Sequence, residues 1–137
     1  MTDNTKNNIE QHPNFPSGEW EGFYIYGSGP GAAQHPMHFT LEFKEGKVHG
    51  GGGDDIGSFT WDGTYDVEAM QCTMTKTYAT HQVFYQGHVD ENGVWGQWRI
   101  FNRGGFHIWP KGRGASNQAV EVKKVELKIV AENPDLK

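Results

Sequence analysis

Between residues 76 and 98 the chain spaces an amine, two phenols, an imidazole and an indole so that extended strands would send them all one way: Lys76, Tyr78, His81, Tyr85 and Trp98. Histidine can take and return a proton near neutrality. Lysine can hold a carboxylate or phenolate, and tyrosine and tryptophan make apolar walls with a polar tip. Such a set suits the binding of a small, partly apolar molecule, with an anionic end as an option. It also suits a small barrel enzyme of isomerase or cyclase type, with His81 as candidate general base and Lys76 or Tyr85 as electrostatic stabiliser. The plain structural alternative is a polar network that satisfies itself inside the fold or lies beneath a subunit contact. Trp20 and Tyr24, flanking Gly22, join the same candidate ligand-binding set by parity.

Other motifs invite chemistry and do not support it. Gly27-Ser28-Gly29-Pro30-Gly31 imitates a dinucleotide fingerprint, which needs a helix straight after it. Pro36 and an alternating stretch follow instead. His49-Gly50-Gly51-Gly52 imitates the oxyanion loop of esterases, but no G-x-S-x-G elbow accompanies it. Asp54-Asp55 lacks the spacing of a calcium loop and reads as a solvated turn, with Asp55 an outside candidate because loops at a barrel mouth carry function. Seven histidines show no H-x-H, H-x-x-x-H or Cys–His spacing. His81 and His88 fall on opposite faces of one strand. No metal and no cofactor are expected.

These side chains must be positioned by a sheet. Nineteen glycines in 137 residues oppose a helical bundle, since each would cost roughly 1 kcal/mol inside a helix. They suit turns and tightly coiled strands. From Gly18 to Pro110 short strands alternate with turn chemistry: Glu19–Tyr26, Pro36–Phe43, a Lys47 strand running into the glycines, Ile56–Val67 (one bent strand or two split at Asp62-Gly63), Met70–Tyr78, His81–Val89, Val94–Phe101 and Phe106–Pro110. About eight strands without helices between them predict an all-β, antiparallel up-and-down meander that closes into a barrel and so abolishes its edges.

A two-residue turn at Ala79-Thr80 sets Lys76 opposite Val83 and Met74 opposite Tyr85. A turn pairing Val89 with Val94 sets Tyr85 opposite Trp98 and Gly87 opposite Gly96. Side chains across a ladder share a face, so these registers predict a cavity of roughly a few hundred Å3 lined by Tyr24, Lys76, His81, Tyr85 and Trp98. Phe23, Phe84, Trp95 and Phe101 fall on the other face, which predicts cover by the tail or by a second copy in a homo-oligomer. Residues 1–17, Asn-rich and proline-punctuated, read as a flexible arm, residues 18–131 as one domain and 132–137 as a flexible tail. Residues 118–131 fit a bulged strand and would tolerate a helix.

A net charge of -5 with no basic cluster argues against nucleic acid as partner. The N-terminus lacks the basic and apolar regions of a signal peptide, and no apolar run approaches membrane-span length. Cys72 stands alone, as suits a reducing, cytoplasmic setting.

Gly18-Glu19-Trp20 at the head of the first strand resembles the G-x-W signature of the lipocalins, within the calycin group that also holds fatty-acid-binding proteins and avidins. The resemblance implies an eight-stranded barrel around a small apolar ligand. It also implies a late arginine packing on Trp20, for which Arg99 is the candidate. No match to the biotin contacts of avidin accompanies it. The leading expectation is therefore a non-catalytic binder of a small molecule. The barrel enzyme and a purely structural or oligomeric module stand as alternatives.

Overall fold

Met37, Phe39, Leu41 and Phe43 alternate with polar neighbours, and in the computed structural model all four point into a closed barrel while the residues between them face out. Residues 8–27 and 31–112 are described. The strands are Gly18–Tyr26 (β1), His35–Lys44 (β2), Lys47–Asp54 (β3), Ser58–Asp66 (β4), Gln71–Tyr78 (β5), Gln82–Asp90 (β6), Gly93–Arg99 (β7) and Arg103–Pro110 (β8). Each pairs antiparallel with the next, and β8 pairs with β1 to close the ring. The sheet therefore needs nothing after Pro110 for closure. The strand or helix expected over 118–131 and the tail at 132–137 lie outside the described residues.

The expected registers hold: Met74 faces Tyr85, Lys76 faces Val83, Tyr85 faces Trp98, and Gly87 faces Gly96. The stretch around Asp62-Gly63 is one strand. β8 begins at Arg103 rather than Phe106, so Gly104 and Gly105 are strand residues and not loop. A Cβ at Gly104 would stand 2.0 Å from the Ile25 carbonyl and 2.6 Å from the Trp98 indole nitrogen. The glycine is there to let Trp98 lie against the strand and donate from Nε1 to the Ile25 carbonyl at 2.8 Å.

Strand direction sorts the connections into two ends. The turns at 45–46, 67–70 and 91–92 lie at one end, and the loops at 55–57, 79–81 and 100–102 at the other. The first end is plugged. From Asn8 onward the segment read as a flexible arm packs there: Ile9 bridges Lys44, and Phe15 is fully buried against Phe43 and Tyr65, with ring centroids 5.6 and 5.0 Å away. Tyr65 donates its hydroxyl to Glu10 at 2.8 Å, and the Phe43 amide donates to Ser17 Oγ at 2.9 Å. Burying a phenylalanine is worth about 1.5–3 kcal/mol, enough to hold a short irregular segment that shows no period in its sequence.

The outer wall divides. Phe23 and Ile25 of β1 join Trp109 of β8 in a second, buried apolar cluster. Phe84 is half exposed on the outer face. Phe101, expected on the outer face, sits instead in the 100–102 loop at the other end, the one that no described segment plugs. Arg99 is exposed and borders an outer groove with Phe84 and Arg103. Trp20 points inward at the plugged end, where Nε1 donates to the Pro16 carbonyl at 2.9 Å and the ring packs on Phe43. The arginine-on-tryptophan contact that the lipocalin resemblance implied is therefore not made by Arg99. The two residues occupy opposite ends and opposite faces of the sheet.

Cys72 is buried in the interior, and burial pushes its thiol up to about 12. The native protein is expected to resist an aromatic disulfide reagent and to release one equivalent of thiol only on unfolding. Fast labelling in the folded state would contradict this placement.

Candidate functional site

Lys76 lies among the strands with 1% of its surface exposed, a position that no isolated ammonium can hold cheaply. Its Nζ donates to the Asp54 carboxylate, to Tyr85 Oη at 3.3 Å and to Met37 Sδ at 3.2 Å. The rings of Phe59, Tyr24, Tyr78, Tyr85 and Trp61 surround it at 4.5–5.7 Å from their centroids, within cation–π range. Burial pushes the amine down to about 8, against the pull of Asp54.

Asp54 closes β3, and strand parity turns its side chain inward, where it is fully buried. Oδ2 accepts from Lys76 and from the Tyr78 hydroxyl at 2.5 Å. Oδ1 accepts from the amides of Ile56 and Gly57 at 2.9 and 3.3 Å. Asp55, one residue on, reaches the other way. Its Oδ1 accepts from the Tyr24 hydroxyl at 2.5 Å, and its Oδ2 lies 2.6 Å from His35 Nδ1. Burial works to raise the Asp55 carboxyl, but the hydrogen bonds from Tyr24 and His35 outweigh it and hold it below its ordinary value. His35 also stacks on Tyr24, centroids 4.8 Å apart. The two neighbouring carboxylates thus tie the 55–57 loop to β1, β2 and β5.

Above this network a cavity of about 120 Å3 opens at the unplugged end. Tyr24, Tyr78, Val83, Tyr85 and Trp98 form its walls and floor. Its rim includes Tyr26, Ile56, His81 and Phe101, the last 90% exposed. An apolar cavity of roughly 150 Å3 takes a benzene, so the space accepts about one ring. It is smaller than the sequence suggested, because the tyrosines and Lys76 fill the barrel beneath it.

Of the residues singled out from sequence, the structure brings Tyr24, Tyr78, His81, Tyr85 and Trp98 together around the cavity. Lys76 lies behind that lining, and Trp20 lies at the plugged end. His81 stacks on Tyr78 at 4.8 Å, and its Nδ1 faces Thr80 Oγ1 at 2.9 Å. Among the described residues no carboxylate orients the imidazole, as a general base would want. Sequence reasoning missed Asp54 and His35. The available signal was the acidic pair ending a strand, since alternation must send one of the two inward.

Burial raises the phenols of Tyr24, Tyr78 and Tyr85 well above their ordinary value, assisted by the Asp55 bond at Tyr24, the Asp54 bond at Tyr78 and the Asp54 charge at Tyr85. All three remain neutral hydroxyls at physiological pH. Among the described residues no three His, Cys, Asp or Glu side chains converge on a point.

Compared with family models, with curated proteins and with solved structures, the chain matches none. The likeness to the calycin group is accordingly one of architecture: an eight-stranded, closed, antiparallel barrel.

Proposed function

We propose that this barrel binds a small, partly apolar molecule of about one ring in the cavity at its unplugged end, without chemical turnover. The supporting observation is the combination of an aromatic recess with a polar network beneath it in which Lys76 and Tyr78 are held by Asp54, and Tyr24 by Asp55. Lys76 is matched by Asp54 and Asp55 by His35, so the surroundings suit a neutral guest better than the anionic one that an unpaired lysine would have favoured. Apolar walls with few polar anchors are the usual make-up of such sites. Nothing in the placement of His81 calls for catalysis.

Phenylacetylene, one ring with a short apolar arm, is a direct probe. It is expected to change the tryptophan fluorescence through Trp98 and to raise the thermal midpoint by mass action. Val83→Trp should fill the recess and weaken that binding at least about tenfold while circular dichroism keeps its β-sheet form. Unchanged affinity in the folded variant would refute the cavity as the site.

A further inference from the structure

The hydroxyls around the cavity are not equivalent. Tyr24 spends its proton on Asp55 and Tyr78 spends its proton on Asp54. The Trp98 indole is committed to the Ile25 carbonyl. Tyr85 differs. Its oxygen accepts from Lys76 Nζ at 3.3 Å, and since an ammonium has only donors, that bond leaves the phenolic proton unused. Among the described residues no acceptor takes it. Lys76 lies 4.8 and 5.0 Å from the ring centroids of Tyr24 and Tyr78, two other residues of the lining. Tyr85 itself lines the cavity, and its hydroxyl marks the inner side of that lining, where Lys76 lies.

Resting on the pocket reading above, we infer that Tyr85 is the polar anchor of the site and selects a neutral ligand carrying a hydrogen-bond acceptor, such as a ketone, aldehyde, ether or nitrile, over an apolar or anionic one of the same shape. The bond from the Lys76 ammonium polarises the Tyr85 O–H and strengthens what it donates. A buried donor without an acceptor is costly, and the guest's acceptor atom relieves that cost. Burial and the Asp54 charge keep the phenol protonated, hence a donor. Lys76 is already paired with Asp54, so its charge is not left over for a carboxylate or phenolate guest.

Benzonitrile and phenylacetylene share a shape and differ in the acceptor. Wild type is expected to bind benzonitrile about tenfold more tightly, the worth of one hydrogen bond, and to bind benzoate weakest of the three. Bound benzonitrile should show a nitrile stretch shifted to the frequency of an O–H-bonded nitrile, a readout that needs no variant. Tyr85→Phe should bring benzonitrile to the affinity of phenylacetylene, leave phenylacetylene unchanged and return the stretch to its unbonded frequency. If neither neutral probe binds wild type, the pocket reading itself fails. If both bind equally and the bound nitrile is unbonded, the pocket stands and the anchor assignment is overturned. Benzoate binding as tightly as benzonitrile would overturn the neutral selectivity.

Discussion

Asp54→Ala should cost roughly 3–5 kcal/mol of folding stability, the penalty for leaving one member of a buried ion pair alone. The variant strands the Lys76 ammonium where 1% of the residue is exposed, and it removes the acceptor of the Tyr78 hydroxyl and of two loop amides. Against a total stability of about 5–15 kcal/mol for a native protein, this brings the barrel close to unfolding at room temperature. The encircling rings return only about 0.5–2 kcal/mol to the stranded cation. Lys76→Met should cost less, because the carboxylate keeps its three other donors and methionine fills a similar volume. The double variant Asp54→Ala, Lys76→Met should cost less than the sum of the two single changes. Urea unfolding of the four proteins reads these differences directly. A single Asp54→Ala cost below about 1 kcal/mol, or strict additivity in the cycle, would mean the pair is not the buried unit described.

The same network explains why the cavity sits where it does. A barrel lined with glycine-relieved strands and large rings would collapse along its whole length if apolar packing alone decided the matter. At the plugged end it does collapse, around Phe15, Phe43 and Tyr65. At the other end the side chains are tyrosines, whose hydroxyls must find partners. Asp54 and Asp55 supply them at Tyr78 and Tyr24. Each ring is thereby held at its tip against a strand or loop. The space between them stays open.

The barrel was legible because its strands alternate. Met37, Phe39, Leu41 and Phe43 declare one face without ambiguity, and the short turn at Ala79-Thr80 fixes the phase of two strands at once. Where that logic failed, local composition misled. Gly104 and Gly105 look like loop residues and are strand residues, and at Gly104 it is the close approach of Trp98 that a side chain would block. Residues 8–17 have no period because they form no regular element, yet Phe15 is as buried as any core residue. Phe101 falls on the outer face only if strand parity continues past Arg99, where the strand ends. The inward turn of Asp54 was written in the same alternation that placed Lys76. It was overlooked because adjacent acids beside glycine usually mean a solvated turn.

Stability is expected to rise as pH climbs from about 8 to about 9 and to collapse above about 10, from groups whose signs oppose. Burial holds the Lys76 amine at about 8 in the folded protein against 10.5 in the unfolded chain. Across that window the unfolded state binds more protons, so stability increases with pH by about 1.4 kcal/mol per unit. Cys72 has the opposite sign, its thiol raised from 9.0 to about 12. Above pH 9 the unfolded chain gives up a proton that the folded protein retains, and the two slopes cancel. From about pH 10 the phenols add to the loss. Burial and the Glu10 bond raise Tyr65 to about 12, and Tyr24, Tyr78 and Tyr85 are raised further still. Each contributes a falling slope of about 1.4 kcal/mol per pH unit once the unfolded phenols ionise. Urea unfolding between pH 7 and pH 11 should therefore trace a shallow maximum followed by a steep fall. Tyrosinate absorbance should show the buried phenols ionising cooperatively with loss of near-ultraviolet dichroism, rather than smoothly near pH 10. Lys76→Met should delete the rising limb and keep the fall. A smooth titration of all tyrosines in a protein that stays folded would show that Asp54 and Asp55 do not hold those hydroxyls as described.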